Sequence, residues 1–278
     1  MPLPEYSSLR VGIADGVATV VLDHPPVNTL DGQMMLDLHD LLGRLRTDAT
    51  TRVIVFESAH EEFFLAHVDF GIFDSYPALE AVRKDYPHVN VHQGIGALLR
   101  GQPQVTIVKL AGIARAGGAE FVAAADMTFA GTERGKIAQS EVLLGIIPGG
   151  GGTQFLLERT GRNRALEVVL GADLLDAETA ALYGWINRAV PDGELDAFVA
   201  RLAANIAALD PGVIEGAKRA LPVADLTPGL NVEHDEWSRL VSGDAPVKKM
   251  TLAMERDLQT LAPERDLEGF LRQVAADV

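Results

Sequence analysis

Gln139-Ser140-Glu141-Val142-Leu143-Leu144-Gly145-Ile146-Ile147-Pro148, followed by Gly149 to Gly152 and then Thr153-Gln154, is the stretch on which the reading of this chain turns. It sets one carboxylate in an apolar run and follows it with consecutive glycines. A glutamate so surrounded is poorly hydrated, which disfavours its charged form and raises its pKa, as a general acid working near neutrality requires. Taken alone, Glu141 is more simply a salt-bridged carboxylate at a helix end. The glycine run suggests a phosphate loop, but Thr153-Gln154 stands where a P-loop needs Lys and then Ser or Thr, so a Walker motif is excluded.

Two further clusters lie upstream. Arg115-Ala116-Gly117-Gly118-Ala119-Glu120 is a glycine turn feeding a helix start. Such a turn aims unpaired N–H groups and the positive helix end at one spot, which suits an anion or a developing oxyanion. The plainer account is a connection kept small for packing. Phe63-Phe64-Leu65-Ala66-His67-Val68-Asp69-Phe70 is, in isolation, merely an apolar loop.

Around these clusters the pattern is α/β. Leu9 to Ile13 and Val17 to Leu22, joined at Asp15-Gly16, predict a tight hairpin ended by Pro25-Pro26. Asp31 caps a helix to about Arg46 whose apolar side carries Met34, Leu38, Leu41, Leu42 and Leu45. Residues 52–56, 106–110 and 127–131 read as buried strands, 89–99 and 119–125 as helices, and 58–87 as a mobile surface loop with one short helix. Strand and helix alternation implies a layered core with right-handed crossovers. Beyond Gly152 every segment reads as helical, with no convincing strand. These patterns divide the chain into a core at 1–192 and a helical region at 193–278.

Composition excludes several functions. The 278 residues are 47% hydrophobic and 23% charged, enough for a sizeable core. With no cysteine there is no disulfide, thiolate metal site or cysteine nucleophile. The formal net charge of -15, without any cluster of Lys and Arg, argues against nucleic acid as a partner. No stretch resembles a signal peptide or a membrane span, so no membrane partner and a cytoplasmic location are expected. His88 and His92 have an i, i+4 zinc spacing, but Val89 stands where a zincin has its glutamate, so no metal is expected.

In this order and spacing, the clusters resemble the crotonase superfamily, the enoyl-CoA hydratase/isomerase family. Val17 to Asn28 looks like its strand and Asn-Arg-Pro-type turn, and Phe64 to Phe70 like its Phe-x-Ala-Gly-x-Asp signature. Ala116 to Asp126 matches Gly-Gly-x-Glu-x-x-x-x-x-Asp, and Gln139 to Gln154 the Pro-Glu-x-x-x-Gly-x-x-Pro-Gly-x-Gly-Gly-Thr-Gln segment. The resemblance implies the crotonase fold, a repeated ββα spiral with a helical C-terminal region. It implies an acyl-CoA thioester substrate, no cofactor beyond the coenzyme A of that substrate, and a trimer or dimer of trimers. It also implies oxyanion-hole amides at Val68 and Gly117, and a coenzyme A contact at the backbone of Ala66. Glu120 would activate water for the β-carbon, Glu141 would exchange the α-carbon proton, and Gly149 would help hold the water. Retention of both glutamates points to hydration of a 2-enoyl-CoA.

The match departs at named places. His67 stands where the family has glycine, beside the first oxyanion amide, and is a candidate substrate contact, a base for another reaction, or a side chain turned away. His24 replaces a basic coenzyme A contact, and Ser140 a proline. Val247 to Asp257 only loosely fills the place of the family's C-terminal Glu-Gly-x-x-x-Phe-x-Glu-Lys-Arg helix. The rivals are an enoyl-CoA isomerase or other enolate chemistry, and a non-catalytic acyl-CoA-binding member of the fold.

Overall fold

Backbone that cannot pair locally pairs across the chain here, in two sheets. The computed structural model describes residues 3–84 and 89–278. Its strands are β1 (Leu9–Ala14), β2 (Val17–Leu22), β3 (Val53–Ser58), β4 (Phe63–Leu65), β5 (Val105–Leu110), β6 (Ile113–Arg115), β7 (Met127–Gly131), β8 (Lys136–Ala138), β9 (Leu175–Asp176) and β10 (Arg188–Val190). The larger sheet runs β1-β2-β3-β5-β7-β10 and the smaller β4-β6-β8-β9. Among the described residues only β1/β2 and β8/β9 pair antiparallel.

Three times the chain passes from the larger sheet to the smaller, at β3→β4, β5→β6 and β7→β8, before a helix carries it onward. Those helices are Val91–Arg100, Gly117–Ala124 and Gly152–Thr160, the first of them preceded by the helix Tyr76–Arg83. This is a repeated ββα spiral, the crotonase fold. The hairpin pairs Leu9 with Leu22 and Ala14 with Val17, and Asp15 and Gly16 both take positive φ, as a two-residue primed turn requires. Asp31 accepts from the Met34 amide and starts the helix Gly32–Leu45, whose buried Met34, Leu38, Leu41, Leu42 and Leu45 face the core. Removing each such side chain from water stabilises the fold by about 1.5–3 kcal/mol.

Two expectations are corrected. Residues 58–84 are not simply a loop: β4 lies there with Phe63, Phe64, Leu65 and Ala66 fully buried. A three-residue strand is too short to show period-two alternation, and buried on both faces it shows none. Past Gly152 the chain is not wholly helical, since β9 and β10 close the edges of the two sheets. Pro87 and His88 lie outside the described residues.

The C-terminal helices pack on both sides of this frame. Asp192–Ala207 covers the larger sheet through Leu195, Val199 and Ala203 against Val53, Ile107 and Phe129. The last helices, Asp244–Glu255 and Leu267–Ala276, pack Ala253, Leu267, Leu271 and Val274 against Leu144 and Ile146, beside Glu141. Among the described residues, no single helix is long and apolar enough to cross a membrane.

Candidate active site

A cavity of about 1270 Å³ opens between the spiral and the C-terminal helices. Its lining includes Val68, Gly117, Glu120, Glu141 and Gly149 from the spiral, and the apolar side chains of Trp237, Met250, Met254, Leu258 and Leu271 from the C-terminal region. Among its described lining residues there is no lysine or arginine. Within the described part of residues 59–87, Phe70, Ile72 and Leu79 line the cavity.

Val68 follows β4 and forms an isolated parallel bridge with Leu30. The bridge uses the His67 carbonyl, which accepts from the Leu30 amide at 2.8 Å, and the Asp69 amide, which donates to the Leu30 carbonyl at 3.1 Å. The N–H of Val68 is left outside this pairing. Asn28 steadies the loop, its side-chain amide donating to the Phe64 carbonyl at 2.7 Å while its own carbonyl accepts from Ala66.

Gly117 opens the helix Gly117–Ala124, so its N–H has no acceptor within the helix. Ala116, just before it, sits at φ 47°, a conformation that L-residues seldom adopt and that turns the chain sharply into the helix. A Cβ on Gly117 would lie 2.3 Å from Cγ2 of Val68. Glycine thus leaves room for the Val68 side chain and the His92 ring beside this turn, and both Val68 and Gly117 line the cavity.

The carboxylates stand beyond that edge. Glu120 Oε1 accepts from the amides of Gly150 at 2.8 Å and Gly152 at 2.9 Å, so the glycine run binds a side chain of its own protein. Burial pushes the Glu120 carboxyl up to about 7 in spite of those donors. Glu141 begins a short 3₁₀ turn, Glu141–Leu144, and its carboxyl is raised well above the ordinary range by burial first and by the nearby charge of Glu120 second. With its amide nitrogen facing the carboxylate, Gln139 donates to both Glu141 oxygens at 3.0 and 2.9 Å. Burial pushes both carboxyls up, and the charge of Glu120 adds to the rise at Glu141.

The other predicted positions are placed as follows. Gly149 lines the cavity with its carbonyl accepting from Asn90 at 2.9 Å. Ala66 is buried beside Val27 and Phe63. His24 is outside the cavity lining, with Nδ1 3.0 Å from the Thr29 carbonyl and Nε2 3.5 Å from Asp31. His67 touches the cavity, but its ring nitrogens are both engaged, Nδ1 with the Val68 carbonyl at 2.7 Å and Nε2 with Glu264 at 2.8 Å.

A model of the enoyl-CoA hydratase/isomerase family matches residues 12–234, well over half of the chain. The chain belongs to that family. It is a crotonase-superfamily enzyme, a hydratase or an isomerase. A solved protein from Streptomyces avermitilis with a provisional enoyl-CoA hydratase name is 57% identical, with a TM-score of 0.96 over 98% of this chain and 100% of its own. The crotonyl-CoA hydratase of Syntrophomonas wolfei is 24% identical over 90% of this chain and 96% of its own length. The short-chain-enoyl-CoA hydratase of Clostridium acetobutylicum is 25% identical over 91% and 94%.

Two site residues of this hydratase/isomerase escaped the sequence. His92, on the helix Val91–Arg100, brings Nδ1 to 3.6 Å from Glu120 Oε2. Burial lowers its pKa to about 4, so the ring is neutral. The zinc spacing involved His88, which lies outside the described residues; it is the tertiary contact with Glu120 that brings His92 to the site. Glu233 accepts from the Gly151 amide at 2.6 Å, the Thr153 amide at 2.9 Å and Gln93 at 3.0 Å, and so anchors the glycine run from a C-terminal helix, Thr227–Val241. Burial, aided by Glu120, pushes its carboxyl up to about 7. Two of its donors are backbone amides and all of them lie far from it in the chain, so they leave no mark in a sequence.

Proposed function

We propose that the enzyme hydrates a trans-2-enoyl-CoA to a 3-hydroxyacyl-CoA. The observation that carries this is the pair of buried carboxylates, Glu120 and Glu141, lining one cavity with Val68 and Gly117. The thioester oxygen accepts from the amides of Val68 and Gly117. Glu120, ionised, takes a proton from water as the water oxygen bonds to the β-carbon. The electron pair of the C=C bond moves onto the thioester, and Glu141 delivers its proton to the α-carbon. Gly149 borders the water, and the apolar wall takes the acyl chain. Coenzyme A enters as part of the substrate, and no other cofactor takes part. The assembly is a trimer or dimer of trimers, and the location cytoplasmic. Incubation with short, medium and long trans-2-enoyl-CoAs should add the mass of one water to at least one thioester; binding without that gain would rule hydration out.

The rate should fall as the pH drops through about 7, because Glu120 must be ionised to act as base. Glu141, Glu233, His92 and His234 all face this part of the cavity or its glycine loop. His92→Gln puts a carboxamide donor beside Glu120 Oε2 in place of a neutral ring. A donor stabilises the carboxylate, so the acid limb of kcat/KM should move down by about one pH unit. An unmoved limb would show that His92 only fills space.

A further inference from the structure

The two segments that deliver the Val68 and Gly117 amides are gripped from one side by the C-terminus. His67 immediately precedes Val68, and Arg115 ends β6 two residues before Gly117. β4 and β6 are parallel neighbours in the smaller sheet, so the two residues emerge side by side. Glu264 Oε1 accepts from His67 Nε2 at 2.8 Å. Glu268 holds Arg115 in a fork, at 2.7 Å to Nε and 3.0 Å from the second nitrogen, and Arg115 also donates to the Glu264 carbonyl at 2.9 Å. Gln259 joins the same grip by accepting from the Phe70 amide at 2.7 Å and donating to Asp69 at 2.8 Å.

We propose that Glu264 and Glu268 are positioning residues of the oxyanion site, fixing through His67 and Arg115 the spacing of the Val68 and Gly117 amides; this rests on the proposed role of those amides. Position and chemistry both favour it. Both ring nitrogens of His67 face acceptors, a carbonyl and a carboxylate, and only the imidazolium can donate to both at once. An Arg–carboxylate fork fixes orientation as well as distance, which a packed apolar contact does not. The network is buried, with Arg115 and Glu264 at 0% exposure, and among the described residues Glu264 Oε2 is buried without a partner. A contact kept only for stability has little use for such a group, since apolar residues of similar volume serve as well or better. His67 thereby has a use that glycine at that position lacks: it ties the first amide to the C-terminal segment.

Stability and positioning are separable by spectroscopy. A cinnamoyl-type enoyl-CoA absorbs further to the red when its carbonyl is polarised by hydrogen bonds. The chromophore is to be bound to the native full-length enzyme, to His67→Gln, to Glu264→Gln and to the charge-balanced double variant Arg115→Met/Glu268→Met. The double variant replaces an ion pair by apolar side chains and is expected to fold, which thermal unfolding checks. The expected result is a red shift with native enzyme that shrinks in each folded variant, with kcat down about ten- to a hundredfold and KM within about threefold. In the double variant, an undiminished red shift and native kcat would overturn the clamp while leaving the oxyanion assignment intact. No red shift with native enzyme would overturn that assignment and the clamp together.

Discussion

Glu120→Gln is expected to lower kcat for hydration by about a thousandfold, the range in which loss of a general base falls. The substitution is nearly isosteric, and the carbonyl oxygen of glutamine still accepts from the Gly150 and Gly152 amides that hold Oε1. The glycine loop and Glu233 behind it should therefore stay in place, and KM should change little. What is lost is the capacity to take a proton from water. The same variant separates hydration from isomerisation, because moving a double bond needs only one carboxyl to shuttle a proton. If a 3-enoyl-CoA is still converted to its 2-enoyl isomer at near-native rate while hydration collapses, Glu141 acts alone in the former and both glutamates in the latter. If hydration survives, water is activated elsewhere, and His92 becomes the first place to look.

Gly117→Ala should cost about a hundred- to a thousandfold in kcat, the usual effect of removing one oxyanion donor. The new methyl carbon would lie 2.3 Å from Val68 Cγ2 and 2.9 Å from the His92 ring, distances at which something must shift. Val68 belongs to the opposing segment, so relief of the clash spreads the two amides apart. Gly43→Ala is the matching control, since a Cβ there meets nothing within 4 Å and the helix Gly32–Leu45 gains from alanine. Steady-state kinetics on both variants should show the loss in the first and none in the second. Equal activity of Gly117→Ala and native enzyme would mean that the thioester does not sit between these segments.

What the chain discloses before it folds depends on how local each feature is. The hairpin at Asp15-Gly16, the Asp31 cap and the apolar face of Gly32–Leu45 are written within a few residues of one another, and the structure reproduces them. The strands β4, β6 and β8 are three residues each, and exist because they stack on one another rather than through their own pattern. Glu120 and Glu141 stood out because glycine runs and apolar flanks surround them in sequence. Glu233, Glu264 and Glu268 did not, and His92 stood out only for a zinc spacing, since each acts on residues far away in the chain. His67 was legible as a departure from the family but not in its partner, Glu264, which is separated from it by 197 residues. The glycine run after Pro148 looked like an anion loop and is one, but the anion is the side chain of Glu120.

The central claim is that two buried carboxylates in one cavity add water to an enoyl thioester. Its most direct test is the ultraviolet absorbance of a trans-2-enoyl-CoA followed with native enzyme and with Glu141→Gln side by side. The account predicts that the enoyl absorbance falls with native enzyme and holds nearly constant with the variant, while both bind the thioester. Absorbance that stays flat with native enzyme, or that falls equally fast with Glu141→Gln, would contradict it.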